Sequence, residues 1–278
     1  MSKIPPGVGV AALMVAARNI LLDALELLGE HLDGVTVVGA QAVYLRSSDI
    51  KLPVAPATSD ADLVLNPSIV GHPPEISMLM EEADFKIRDT NQPGLWSRMV
   101  EIEGIEVAMP VDLLVPEAFA GKGSRSASLP PHEKRTARRV PGLEAALLDR
   151  DLMDVPSLNG QVRSVQAWIA GPAALLIAKA HKIRDRLAGN IDRLSDKDAT
   201  DVVRLMMAHD PEDVLERWRR LEDSGQALKV VAEGRELLLE QFGRVDSDGT
   251  EMARRNLEGT GLDPRDIATA WMHEFSST

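Results

Sequence analysis

Two aspartates close together in the sequence, Asp60 and Asp62, could bind a divalent cation. They lie in a run, residues 58–65, that predicts a β-strand, in which Thr58, Asp60 and Asp62 share one face because side chains alternate. The carboxylates would then lie roughly 7 Å apart and repel each other. Mg²⁺ prefers such oxygen ligands and commonly accompanies a nucleoside triphosphate. Taken alone, in so acidic a chain, a half-exposed strand with a polar outer face is the simpler interpretation.

A turn of small residues precedes this strand. Residues 35–38 predict a short buried strand and residues 41–46 a short helix, with Gly39 and Ala40 between them. Bare backbone followed by the unpaired N–H groups of a helix start can bind phosphate, although an ordinary strand-to-helix turn has the same pattern. The turn ends twenty residues before Asp60, and the two features together have the layout that a nucleotidyl-transfer site needs.

These motifs resemble a known signature. Gly39-Ala40 followed by Thr58-x-Asp60-x-Asp62 is similar to the DNA polymerase β-like nucleotidyltransferase superfamily, although alanines stand at the second small position and between the acids. The resemblance implies an α/β (α+β) fold, a polymerase β-like catalytic domain with a mixed sheet followed by a helical domain. It also implies a nucleoside triphosphate substrate and two Mg²⁺ ions held by the aspartates. The nucleotide contacts that it implies come from Gly39, Ala40, Thr58 and Ser59.

A third carboxylate is available in a neighbouring segment. Asp112 is the only acid within the apolar residues 107–115, which predict a strand. Burying a lone charge there would cost several kcal/mol unless it is paired or bound to a metal. The alternative is that Asp112 lies at a strand end and faces water. The superfamily that the chain resembles has a third carboxylate on a neighbouring strand, and Asp112 has the position that this implies. We therefore favour the functional interpretation, in which Asp112 is a metal ligand and the general base that takes the proton from the attacking hydroxyl.

A second group of charges lies on two predicted helices. Lys179, Lys182 and Arg186 share a face beside an apolar stripe, and an acid-rich helix start containing Asp198 and Asp201 follows. Two amphipathic helices with solvated charges would explain these residues without any function. A helical lysine followed by Lys-Asp-x-x-Asp also resembles the AbiEii group of nucleotidyltransferases, however, which includes the mycobacterial toxins of type IV toxin–antitoxin systems.

The AbiEii resemblance implies specific roles. Lys179 would neutralise phosphate charge with Asp201 as its partner, and Lys182 and Asp198 are the near alternatives, Lys182 as a nucleotide contact. The resemblance further implies a toxin that adds nucleotides to the tRNA 3′ end, with a cognate antitoxin as partner. Two other functions stay open: modification of a protein hydroxyl or of a small molecule such as an aminoglycoside, and a non-catalytic binding protein that kept the fold.

Charge and composition limit the kinds of binding partner that we expect for this chain. The net charge of −12 argues against broad nucleic-acid affinity, and a chain without cysteine has neither disulfides nor thiolate zinc sites. Residues 121–139 nevertheless carry six cations and one acid in a Gly-, Ser- and Pro-rich segment that predicts a loop. This basic segment could bind a triphosphate or an RNA backbone, or it could simply be solvated. The residues that we assign to nucleic-acid binding are Lys134, Arg135, Arg138 and Arg139.

The predicted elements divide the chain near residue 160. We expect a catalytic domain over residues 1–160 and a helical domain over residues 161–278 that contributes active-site residues. In the first part we predict helices at 10–32, 41–46 and 75–83, strands at 35–38, 61–65, 96–102 and 107–114, and either a helix or a strand at 142–155. In the second part we predict helices at 164–186, 198–209, 211–221, 227–242, 250–257 and 264–275. Charges interrupt the apolar residues 10–28 and the start lacks a signal-peptide pattern, so we expect no membrane partner and a cytoplasmic location.

Overall fold

The computed structural model confirms the α+β class with a mixed sheet. It describes residues 4–52, 58–89, 91–122, 125–160, 162–189 and 196–277. The chain divides into two compact units, which we call the sheet unit, Ser2–Ala42 with Pro56–Ala170, and the helical unit, Val43–Ala55 with Gly171–Thr278. The two domains predicted from the sequence stay a prediction, because compactness alone does not establish that a segment folds independently.

The sheet unit is built around one eight-stranded sheet. The strands are β1 (Val35–Val38), β2 (Ala61–Leu65), β3 (Lys86–Ile87), β4 (Leu95–Ile102), β5 (Ile105–Pro116), β6 (Arg138–Val140), β7 (Arg150–Pro156) and β8 (Ser164–Ala170). They run in the order β3-β4-β5-β2-β1-β8-β7, and β6 pairs with β5. The pairs β1/β8, β2/β5 and β5/β6 are parallel, whereas β1/β2, β3/β4, β4/β5 and β7/β8 are antiparallel.

Buried β-branched and leucine side chains hold the centre of this sheet together. All four residues of β1 are buried, and β2 and β5 carry fully buried Leu63 and Val111. Helix α1 (Val10–Leu27) packs against β5 and β8 through a stripe that includes fully buried Leu21 and Leu25. Each such side chain contributes about 1.5–3 kcal/mol by leaving water. The other helices that begin in this unit are α2 (Gly39–Arg46), which continues past Ala42 into the helical unit, and α3 (Ile76–Glu82).

The helical unit has an aromatic core. Fully buried Trp218 meets Phe275 edge-on at 5.4 Å between ring centroids, and Trp271 stacks on Phe275 at 5.0 Å. Local signals set the helix ends: Asp210 accepts a hydrogen bond from the Glu212 N–H at the start of α6, before a proline at the first helical position. Its helices are α4 (Pro172–Leu187), α5 (Asp196–Ala208), α6 (Pro211–Ser224), α7 (Leu228–Phe242), α8 (Asp248–Asn256) and α9 (Pro264–Ser277).

The prediction of a helix over residues 164–186 was wrong at its beginning. Residues Ser164–Ala170 form β8, which pairs with β1 and β7, and the helix starts only at Pro172. In β8 the buried Ala167 and Ile169 lie on either side of the less buried Trp168, and Gln166 before them is exposed, which fits a strand period. The prediction continued the apolar stripe of α4 towards the N-terminus, across Gly171-Pro172. This dipeptide in fact separates β8 from α4.

Three other predicted segments also differ from the structure. The first helix ends at Leu27 and is followed by a 3₁₀ turn at Gly29–Gly34. Residues 142–155, left open between helix and strand, hold a 3₁₀ turn at Glu144–Leu147 and then β7. The basic segment, predicted as a loop, ends in strand β6. Among the described residues, none of the helices is both long enough and apolar enough to span a membrane.

Candidate functional site

Two of the predicted carboxylates lie directly across from each other in the sheet unit. Strands β2 and β5 are parallel neighbours, and their register pairs Asp62 with Asp112. Paired residues of adjacent strands project their side chains on the same face, with the strands about 4.8 Å apart. Both residues are partly buried, and the next residues along their strands, Leu63 and Leu113, are fully buried on the opposite face of the sheet. The fold therefore brings together two acids that are fifty residues apart in the sequence.

The small-residue turn is packed against one of these carboxylates. Asp62 pairs with Val38, the last residue of β1, and Gly39 follows as the first residue of α2. Gly39 has φ +67°, and a Cβ added there would overlap the carboxylate of Asp62. Glycine is thus required for both backbone conformation and space. This second requirement was not expected from the sequence, where Gly39 was assigned only to phosphate binding. Ala40 is buried.

Asp60 lies just outside the strand. Strand β2 begins at Ala61, so the prediction that Thr58, Asp60 and Asp62 share a strand face was wrong for the first two. Thr58 and Ser59 instead form a turn around Asp60: the Asp60 N–H donates to Thr58 Oγ1 at 3.3 Å, and Ser59 Oγ donates to Asp60 Oδ1 at 2.6 Å. A short polar side chain that bonds a backbone N–H two residues on is a common turn device. It brings Asp60 to the end of β2 that carries Asp62.

Asp112 is incompletely neutralised. Its Oδ2 accepts a hydrogen bond from Arg138 Nη2 at 3.0 Å, while its Oδ1 is buried and has no hydrogen-bond partner among the described residues. Burial, with the neighbouring charge of Asp62, raises the pKa of Asp112 to about 7, against the opposing influence of Arg138. The charge of Asp60 raises this pKa further and that of Arg88 lowers it. Asp112 thus has both a free acceptor atom and a shortage of nearby positive charge.

The chemistry of these donors fits a hard divalent cation. Asp60, Asp62 and Asp112 offer carboxylate oxygens only, which Mg²⁺ prefers, and the buried Oδ1 of Asp112 supplies an acceptor that no described residue uses. Within the described ranges, no three His, Asp or Glu side chains are grouped as a metal site. The Asp112 carboxylate is already paired with Arg138, so a cation that binds Asp112 would compete with this arginine.

The lysine group lies in the helical unit and forms a network of ion pairs. Lys179 Nζ donates to Asp198 Oδ1 at 2.9 Å and to Asp201 Oδ2 at 2.6 Å, and all three side chains are at least 95% buried. Burial alone would lower the pKa of Lys179, but the two carboxylates outweigh it and raise the pKa well above its usual value. Lys179 and Asp201 are therefore in contact, as the resemblance implied, and Asp198 belongs to the same network.

Asp198 is the centre of this network. Besides Lys179, it is paired with Lys182 at 3.4 Å and with Arg186 at 2.9 Å, so the three cations that share a face of α4 all contact one carboxylate. Burial would raise the pKa of Asp198, but these cations hold it far below the ordinary value. Lys182 itself is half-exposed. From the sequence, Asp198 is only an alternative to Asp201, because helical spacing does not show which acid the cations of the other helix contact.

The residues of the basic segment that we assigned to nucleic-acid binding are mostly engaged within the sheet unit. Arg138 pairs with Asp112, Arg135 pairs with Glu133 and Glu81, and Arg139 donates to the carbonyl of Gly121. Lys134 is exposed. The contact of Arg138 with Asp112 was missed from the sequence, since the pairing depends on β6 lying beside β5. No local pattern signals it.

Comparisons with known proteins give little further guidance. No protein-family model matches the chain, and no curated protein matches it. A solved structure, that of an antigenic nucleotidyltransferase-like protein from Paracoccidioides brasiliensis, is similar over 82% of this chain and 93% of that chain, with 16% sequence identity and a TM-score of 0.43. Similarity at this level does not establish a shared activity.

Proposed function

We propose that this protein is a Mg²⁺-dependent nucleotidyltransferase of the polymerase β-like kind. It would transfer the nucleoside monophosphate of an NTP to an acceptor hydroxyl and release pyrophosphate. The observation that supports this most directly is the register of Asp62 and Asp112 on adjacent parallel strands, with Asp62 packed on Gly39 at the start of α2. A sheet edge that brings carboxylates and a bare helix start together suits a metal-bound triphosphate.

Different residues of the chain would bind the metal ions, accept the proton and orient the triphosphate. Asp60, Asp62 and Asp112 would hold two Mg²⁺ ions, which when bound stabilise the charge that develops on the phosphate oxygens. Asp112 would also accept the proton of the attacking hydroxyl, a role that suits a carboxylate whose pKa lies at about 7 before metal binds. The backbone of Gly39 and Ala40 would orient the triphosphate. Thr58 and Ser59 would act chiefly by holding the turn at Asp60.

Lys179 is proposed as the residue that neutralises phosphate charge. An ammonium group has three protons to donate, and Asp198 and Asp201 take two of them. The third proton would be donated to a phosphate oxygen, while the two carboxylates fix the ammonium in place. Asp201 and Asp198 would then orient Lys179, and Lys182 would lie closer to solvent as an auxiliary nucleotide contact.

The acceptor is the least constrained part of the proposal. The AbiEii resemblance supports the tRNA 3′ end as acceptor, the role of toxin and a cognate antitoxin as partner, and the exposed Lys134 is available to a phosphate backbone. The internal engagement of Arg135, Arg138 and Arg139, with a net charge of −12, favours instead an acceptor that is not RNA, such as a protein hydroxyl or a small molecule.

Transfer of label from an α-labelled NTP would test both parts. Wild-type protein with Mg²⁺ is incubated with tRNA, with a protein extract or with hydroxyl-bearing small molecules, and the labelled product is identified. We expect Asp62→Asn to lose about 10³-fold or more in rate, since it removes a metal ligand in the transition state. The matched control is Asp84→Asn, which removes an exposed acid at φ +61°, a conformation that asparagine tolerates.

The outcomes are distinct. Labelled tRNA supports the RNA acceptor, and labelled protein or small molecule supports the alternative. Asp62→Asn as active as Asp84→Asn would remove the carboxylates from the mechanism. Wild-type protein that binds NTP without transferring label to any acceptor would favour the non-catalytic binding protein.

A further inference from the structure

Arg138 is the ion-pair partner of Asp112 in the described part of the chain, and the backbone of Arg138 is firmly placed. Strand β6 runs parallel to β5, with Arg138 opposite Leu114, two residues beyond Asp112. The backbone N of Arg138 lies so close to Gly94 that a Cβ there would be only 2.5 Å away. The Arg138 side chain, in contrast, is 36% exposed. Only the far end of this residue is therefore free to change partners.

The ion pair between Arg138 and Asp112 is incomplete on both sides. A guanidinium and a carboxylate pair best through two parallel hydrogen bonds, but here a single one joins Nη2 to Oδ2. Asp112 Oδ1 and Arg138 Nε are both buried, and neither has a hydrogen-bond partner within the described ranges. Each group therefore retains bonding capacity that a different partner would satisfy better.

We propose that Arg138 is a latch, a positioning residue that holds Asp112 before metal binds and is released to the substrate's phosphates when metal takes its place. This inference rests on the proposed function and deepens it. The released guanidinium would bind phosphate oxygens through two hydrogen bonds, which its geometry suits better than that of lysine. Exposed Arg88, whose charge already influences Asp112, would lie on the same side of the site.

The latch also accounts for how the protein tolerates two neighbouring carboxylates before metal binds. Two acids in register repel each other, and the guanidinium of Arg138 relieves part of this repulsion. A divalent cation would compete with Arg138 for Asp112, so metal alone should bind more weakly than metal together with a triphosphate. The triphosphate would give the displaced Arg138 a new anionic partner.

Calorimetric titrations with the full chain would test the exchange. Mg²⁺ is titrated alone, and a non-hydrolysable NTP analogue is then titrated in the presence of Mg²⁺, for wild type, Arg138→Ala, Arg138→Lys and the control Arg125→Ala. We expect Arg138→Ala to bind Mg²⁺ alone several-fold more tightly but the analogue about 10-fold or more weakly, the scale of one charge-assisted hydrogen-bonded contact. Arg138→Lys, which keeps the charge but not the two-pronged geometry, should lose analogue affinity with little gain in Mg²⁺ affinity. Arg125→Ala removes an exposed cation of the same segment and should change neither affinity.

The opposite signs of the two effects separate a latch from a merely structural residue. If Arg138→Ala binds both Mg²⁺ and the analogue more weakly, or binds both as wild type does, the latch is overturned. The proposed function is unaffected by that result as long as the wild-type protein binds Mg²⁺ and the analogue. If Arg138→Ala does not fold, Arg138→Lys decides instead: wild-type affinity of this variant for the analogue overturns the latch. Wild-type protein that binds neither Mg²⁺ nor the analogue overturns the proposed function itself, and the latch with it.

Discussion

The two charged groups of this protein differ in how well the chain satisfies them. In the sheet unit, Asp112 is left with one buried oxygen that has no partner in the described structure and with a pKa raised to about 7. In the helical unit, Lys179 has two carboxylate partners within 3 Å, and Asp198 has three cationic ones within 3.4 Å. The first group has too little positive charge for its acids, whereas in the second each acid is paired with at least one cation.

This difference indicates how each group would serve the proposed reaction. A buried carboxylate with an unused oxygen destabilises the folded protein until a cation binds it. The Asp112 carboxylate therefore lowers the stability of the sheet unit without metal and favours binding of a cation. The lysine network is already paired and hydrogen-bonded, and it holds Lys179 in one geometry. Preorganised charge of this kind needs no rearrangement when negative charge develops on a phosphate. The comparison therefore predicts opposite responses to substitution in the two groups.

The largest effect on stability should come from the lysine network. Lys179→Met leaves Asp198 and Asp201 buried with one cation fewer, and we expect a loss of about 3–5 kcal/mol in the free energy of unfolding. Denaturant titration followed by circular dichroism would measure it. The matched control is Lys229→Met, which removes an 87% exposed lysine of α7 and should cost at most about 0.5 kcal/mol.

A double-carboxylate variant would show where this loss originates. Adding Asp198→Asn and Asp201→Asn to Lys179→Met removes the charges of both former partners, including Asp201, whose ion pair in the described structure is with Lys179, so part of the stability should return. If Lys179→Met is as stable as Lys229→Met, the ion pairs of Lys179 do not stabilise the fold. The proposed difference between the two charged groups would then be wrong.

Elements with a clear period were predictable from the sequence, and elements decided by tertiary partners were not. The strands at Val35–Val38 and Ala61–Leu65 were predicted with their observed bounds, because each is a short run of apolar residues beside turn residues. Strand β8 was missed, since its seven residues are extended by pairing with β1 and β7, and a neighbouring helical stripe masked its alternation. Strand β6 contains only three residues and could not have been recognised from its own composition.

The candidate site shows the same division. The sequence identified Asp60, Asp62 and Asp112 as the acids of interest, and the register of β2 with β5 pairs two of them. It could not show that Gly39 must lack a side chain to accommodate Asp62, or that Arg138 contacts Asp112 instead of solvent. Both facts depend on strand neighbours that are distant in the chain. The assignment of these residues to catalysis stays a prediction until transfer is measured.

The next largest effect should be a pH-dependent gain of stability in the sheet unit. The pKa of Asp112 is about 7 in the folded chain, against about 3.9 for an unfolded aspartate, so between these values the native state holds a proton that the unfolded state releases. Wild-type stability without metal should therefore fall as pH rises from about 4 to about 7. Asp112→Asn removes this dependence, and its stability relative to wild type should increase by on the order of 2–4 kcal/mol between pH 4 and pH 8.

Thermal unfolding in a chelating buffer at a series of pH values would measure this gain. Glu106→Gln, an exposed substitution on the same strand, is the matched control and should follow the wild-type profile. Saturating Mg²⁺ should stabilise wild type and abolish the advantage of Asp112→Asn at pH 8, because the cation replaces the missing positive charge. A wild-type profile that is flat from pH 4 to pH 8 would show that Arg138 already neutralises Asp112.

The smallest effect should come from Lys182, and it separates the two candidate phosphate contacts. Lys182 is half-exposed and lies 3.4 Å from Asp198, which keeps Lys179 and Arg186 as partners. Lys182→Ala should therefore lower the free energy of unfolding by no more than about 1 kcal/mol, the usual range for an exposed pair. If Lys179 neutralises the phosphates, the same variant should also keep KM for NTP and kcat within a few-fold of wild type. A large rise in KM with unchanged stability would assign the phosphate contact to Lys182, and Lys179 would then serve only to orient the acids around it.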